Sequence, residues 1–116
     1  MSSDSIAKKK SMEFAKRIVS LYQFLCQEHH EYVMSKQVLR SGTSIGANIA
    51  EAVYGSSRRD FVAKLQIAQK EVAETLYWLE LLNSCSYIPD TLYRSLDHDC
   101  KEILALLIAT IKSCSD

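Results

Sequence analysis

A chain of 116 residues, 47% hydrophobic but with only three glycines and one proline, has the length for one buried core and too few turn formers for a sheet protein. Its 14 basic and 14 acidic side chains cancel, so no overall field favours nucleic acid or an anionic membrane. No apolar run approaches the ~20 residues of a membrane helix, and the polar, Lys-rich start lacks the apolar core of a signal peptide, so a cytoplasmic protein is expected.

The first predicted helix, 5–30, carries Phe14, Ile18, Leu21 and Leu25 on one line, flanked by Ala15, Val19, Tyr22 and Cys26. The polar run from Glu28 to Glu31 ends it, and Ser35 has the side chain expected of the next N-cap. The second helix, 35–54, holds VLRSGTSIGANIAEA at 38–52, where two glycines and several hydroxyl residues interrupt an otherwise helical apolar repeat. Each interior glycine costs about 0.5 to 1 kcal/mol relative to alanine, so close packing of another backbone on Gly42 and Gly46 is the expected compensation. Val38, Gly42, Ile45, Ile49 and Ala52 or Val53 form its seam; Arg40, Ser44, Asn48 and Glu51 lie roughly opposite, and Leu39, Thr43, Gly46 and Ala50 make a small-residue side.

Gly55 to Ser57 break the pattern, and Ser57 with Asp60 reads as a capping box opening the third helix, 57–84, roughly 40 Å long at 1.5 Å per residue. Its core line is Phe61, Leu65, Ala68, Val72, Leu76 and Leu79. A second stripe, displaced from that line, carries Lys64, Ile67, Glu71, Glu74, Trp78 and Leu81, the mixture of apolar, aromatic and charged side chains that protein interfaces use. Arg40, with its planar fork, is the expected partner of Glu71 or Glu74. After a short connection at 84–89, Asp90 is the expected N-cap of the fourth helix, 90–113, with Leu96, Cys100, Ile103, Leu107, Ile111 and Cys114 in register. Four long helices with short connections make an all-α, antiparallel up-down-up-down four-helix bundle, a single domain over 1–116.

Chemistry finds little support. Gly42-Thr43-Ser44-Ile45-Gly46 satisfies G-x-S-x-G, but the nucleophile elbow needs a strand before its serine and a parallel sheet around it. A di-metal bundle needs Glu-x-x-His, which occurs nowhere, so neither a metal nor a cofactor is expected. Cys26, Cys85, Cys100 and Cys114 are widely spaced and read as buried free thiols. Charge is unevenly distributed: residues 1–70 hold eleven basic and six acidic side chains, and 71–116 hold three and eight, which suggests complementary surfaces within or between chains.

Three segments carry a resemblance: SMEFAKRIVSLYQFL at 11–25, QVLRSGTSIGANIAEA at 37–52 and SSRRDFVAKLQIAQKEVAETLYWLELL at 56–82. In order and separation they resemble the 23S rRNA intervening-sequence protein family of bacterial four-helix bundles. The resemblance implies a homopentamer, with no known catalytic activity and no established ribosomal role. It extends to an accessory protein of diversity-generating retroelements, a basic pentamer that binds nucleic acid and the reverse transcriptase. This chain departs from that relative in being neutral. The expected function is therefore non-enzymatic self-association, with Arg40, Ile67, Glu71, Glu74, Trp78 and Leu81 in contact or ion-pair roles. The alternative is a nucleic-acid or reverse-transcriptase-binding accessory module using Lys8, Lys9, Lys10, Arg58 and Arg59.

Overall fold

The computed structural model describes residues 3–114. Four helices, α1 (Ser3–His29), α2 (Met34–Ala52), α3 (Arg58–Ser84) and α4 (Asp90–Ser113), run up, down, up and down. Each packs on its successor and α4 closes onto α1, giving a square prism of 46 × 22 × 21 Å. No helix among the described residues is long and apolar enough to cross a membrane. The prism is filled by the residues that repeat at steps of three and four, with Phe14, Ile18, Ile45, Ile49, Leu65, Leu79, Leu96, Ile103 and Leu107 all essentially inaccessible. Each such side chain contributes about 1.5 to 3 kcal/mol by burial.

The core line of α3 differs from the sequence expectation at Phe61 and at Leu76. Thr75 and Leu82 are buried, whereas Leu76 and Phe61 are only half-buried. Thr75 is tolerated there because its hydroxyl reaches both the Glu71 carbonyl at 2.8 Å and Ser41 Oγ of α2 at 2.9 Å, so neither buried hydroxyl is left without a partner.

The helix ends bring further corrections. Ser35 is not the N-cap of α2: it lies inside the helix and is buried, and Val33 occupies the cap position. The carboxylate of Glu31 does the capping, accepting from the backbone N–H groups of Val33 (3.1 Å), Met34 (3.0 Å) and Ser35 (2.7 Å). Asp90 is likewise the first helical residue of α4 with Pro89 as its cap, and its carboxylate accepts from Asn83 Nδ2 at 2.9 Å, tying the end of α3 to the start of α4. Ser57 does cap α3, accepting from the Asp60 N–H at 3.1 Å.

α3 ends in a Schellman motif: the N–H of Tyr87 bonds to the Leu82 carbonyl at 2.9 Å and that of Ser86 to the Asn83 carbonyl at 3.0 Å. Ser86 takes the left-handed position at φ 65°, where glycine is usual. The free thiols are not uniformly buried either. Cys85 is exposed and Cys26 and Cys114 are half-buried; Cys100 alone is buried, and burial, ahead of the nearby Asp97 and Asp99, pushes its thiol up to about 12.

Candidate functional site

The α2–α3 side of the prism gathers most of the residues singled out above. Arg40 of α2 spans two carboxylates of α3, with Nη1 3.3 Å from Glu71 Oε1 and Nη2 2.5 Å from Glu74 Oε2. Glu74 Oε2 also accepts from the Trp78 indole N–H at 3.0 Å. These bonds, Arg40 first and the indole second, hold the Glu74 carboxyl below the usual carboxylate value. Trp78 is half-buried against the core and stacks edge-on with Tyr77, ring centroids 5.1 Å apart. Leu81, one turn on, is half-buried. Nearer the α3 start, Lys64 Nζ lies 2.8 Å from Glu51 Oε1 of α2. Because Arg40 is 48% exposed, this network is a surface one, contributing about 0.2 to 1 kcal/mol per pair. It ties the α3 stripe to α2 at two heights along the helices.

Ile67 stands between these two ion pairs and is 41% exposed. With Ala63 it forms the divide between two shallow depressions of about 490 and 670 Å³. Sequence reasoning did not single out Tyr77, one position before Trp78, although it is the more exposed ring at 57%. The signal was its position a half-turn beyond the core line, which periodicity assigns to solvent.

The small-residue side of α2 faces α1. A Cβ built on Gly42 would sit 2.8 Å from Ile18 Cγ1, and one on Gly46 would sit 3.3 Å from Ser11 Oγ. Above this close approach the two helices leave an apolar groove of about 570 Å³, lined by Met12, Ala15, Thr43, Gly46, Ala47 and Ala50 with Lys8 and Lys9 at its rim. The groove was not anticipated, since it needs the pairing of α1 with α2 that no single helix pattern contains. Ser44 makes no approach to a base: its hydroxyl donates to the Arg40 carbonyl at 2.6 Å, and Asn48 Nδ2 donates to the Ser44 carbonyl at 2.9 Å.

The basic residues divide. Lys10 pairs with Glu102 of α4 at 3.2 Å. Lys8, Lys9, Arg58 and Arg59 are exposed at the end of the prism where α1 and α3 begin. Among the described residues no three His, Cys, Asp or Glu side chains are grouped as a metal site.

A family model described as 23S rRNA-intervening sequence protein matches residues 3–109. No curated protein matches the chain. The crystal structure of a protein with unknown function from the S23 ribosomal protein family of Bacteroides thetaiotaomicron VPI-5482 is similar at 58% identity and a TM-score of 0.94, over 95% of this chain and 98% of that one.

Proposed function

Because this chain belongs to the 23S rRNA-intervening sequence protein family, we propose that it is a non-enzymatic cytoplasmic protein, one domain over residues 1–116, that works by self-association as a homopentamer. The observation that carries this reading is Ile67, an exposed apolar residue held between two interhelical ion-pair clusters on an α3 stripe locked to α2. Fixed apolar groups beside satisfied charges cost little entropy to bury against a partner. Arg40, Glu71, Glu74 and Trp78 serve as the rigid support of the contact, and Ile67 and Leu81 as its apolar part. The count of five follows from the resemblance. Multi-angle light scattering at low micromolar concentration is expected to give five times the monomer mass; a monomer would overturn the reading.

A second reading, as a nucleic-acid or reverse-transcriptase-binding accessory module, is favoured by one observation: Lys8, Lys9, Arg58 and Arg59 share one end of the prism, where a ring would repeat them. It expects RNA or DNA binding that weakens steeply with salt and is lost on changing those four residues to glutamate. Absence of binding at about 50 mM salt would end it.

A further inference from the structure

The prism has two unpartnered surfaces of opposite shape. One is the concave groove between α1 and α2, floored by small side chains and bordered by Met12, which is 58% exposed. The other is the convex divide on α3 topped by Ile67. They lie at the same height. Lys64 pairs with Glu51 and Glu71 with Arg40, so Ile67 on α3 and Gly46 on α2 are bracketed by the same two crossings.

The same crossings show that Ile67 faces out of the α2–α3 side, whereas the groove opens out of the neighbouring α1–α2 side. Surfaces on adjacent sides of a prism, joined copy to copy, turn through an angle at each step, as a closed ring requires. Surfaces on opposite sides would run on as a filament.

Charge agrees with shape. Among the described residues, the only charged ones lining the groove are Lys8 and Lys9, and neither forms an ion pair with another described residue. The Ile67 side carries Glu51, Asp60, Glu71 and Glu74 against Arg40, Lys64 and Lys70, an excess of one carboxylate. Glu51, 59% exposed and close to the end of α2 beside which α1 begins, stands at the level of the two lysines.

We propose that the α1–α2 groove is the receiving half of the contact between copies of this chain, the Ile67 divide of one protomer seating in the groove of the next, against Met12, Ala15, Gly46 and Ala47. The contact is therefore heterologous: each copy presents two different patches, and neither patch meets itself. This rests on the self-association proposed above and adds which surfaces meet.

The test is a charge swap at two exposed positions, followed by light scattering, with circular dichroism and thermal melting as controls for folding. Ala47→Glu places a carboxylate in the groove, and Ile67→Lys places an ammonium on the divide. Each alone buries an unmatched charge and is expected to raise the dissociation concentration at least about tenfold. The double variant sets the two charges against each other at every contact and should recover much of the wild-type mass. If the wild type is oligomeric and both single variants keep its mass, the surfaces are wrong while self-association stands; if the wild type is a monomer, both proposals fall. Should either variant not fold, peroxide oxidation of wild-type Met12 decides. Protection of at least about tenfold relative to the urea-unfolded chain is expected, and oxidation at the rate of an exposed methionine would overturn the proposal.

Discussion

Gly42 and Gly46 stand one turn apart on α2, yet an added methyl group would meet different surroundings. At Gly42 it would press on two carbons of Ile18 at 2.8 and 2.9 Å, and Ile18 is fully buried with nowhere to move. Gly42→Ala is expected to destabilise by about 1 to 3 kcal/mol despite the better helix propensity of alanine. At Gly46 the nearest atom is a hydroxyl oxygen at 3.3 Å, so the propensity gain of about 1 kcal/mol roughly offsets the crowding and Gly46→Ala should stay within about 0.5 kcal/mol of wild type. Urea unfolding midpoints check the pair, and equal losses at both sites would refute the distinction. Glu31 gives a pH-dependent counterpart. Partial burial pushes its carboxyl up, but three backbone N–H bonds outweigh that and hold it below its ordinary value. A depressed folded value means stabilisation that is complete above the ordinary glutamate value of about 4.3 and lost as pH falls through the lower folded one. Glu31→Gln should therefore cost about 1 kcal/mol near pH 7. The gap in melting temperature should narrow as pH falls below the ordinary glutamate value; a gap that persists unchanged in strongly acidic solution would mean that the charge is not what caps the helix.

At the level of the helix, what was legible in the sequence was periodicity, and what was not was the chemistry of the ends. The buried lines of α1 and α2 are the ones that spacing picks out, from Phe14 to Leu25 and from Val38 to Ala52, because burial of a helix face depends only on its own repeat. Thr75 was passed over for Leu76 because its partner Ser41 belongs to another helix, so a polar residue looked misplaced in the core. Ser35 and Asp90 have the right side chains for N-caps, but Glu31, four residues before Ser35, reached the free N–H groups first through a turn that put His30 at φ 50°. The Schellman motif closing α3 was hidden in the same way, since it contains a serine where glycine would have announced it. Ser86→Gly relieves the left-handed strain of about 1 kcal/mol or more, against a glycine entropy cost of about 0.5 to 1 kcal/mol. The expected net effect is a gain of up to about 1 kcal/mol, read as a higher melting temperature.

For the molecule as a whole, the opposed charges of the two halves of the chain were visible in the sequence, but their use was not. Lys10 and Arg17 of α1 meet Glu102 and Asp99 of α4 at 3.2 and 2.7 Å, and Arg40 meets Glu71 and Glu74, so part of the imbalance is spent inside each protomer. Which surfaces are left over depends on that pairing, and so the α1–α2 groove could not be read from any one segment. The α1–α4 seam has a consequence of its own. It joins the first helix to the last across 82 and 92 residues of chain, through ion pairs at the surface and beside a depression of about 330 Å³. Contacts of such long separation form late, after the loop-closure entropy has been met by the shorter-range pairs α1–α2 and α2–α3. Asp99→Asn is accordingly expected to speed unfolding a few-fold while leaving the refolding rate nearly unchanged, the pattern of an interaction absent from the transition state. Stopped-flow kinetics would show it; a slowed refolding limb would place this seam in the nucleus instead. In a growing polypeptide the prism then stays open along one edge until α4 emerges, and the same edge is where the finished protein begins to come apart.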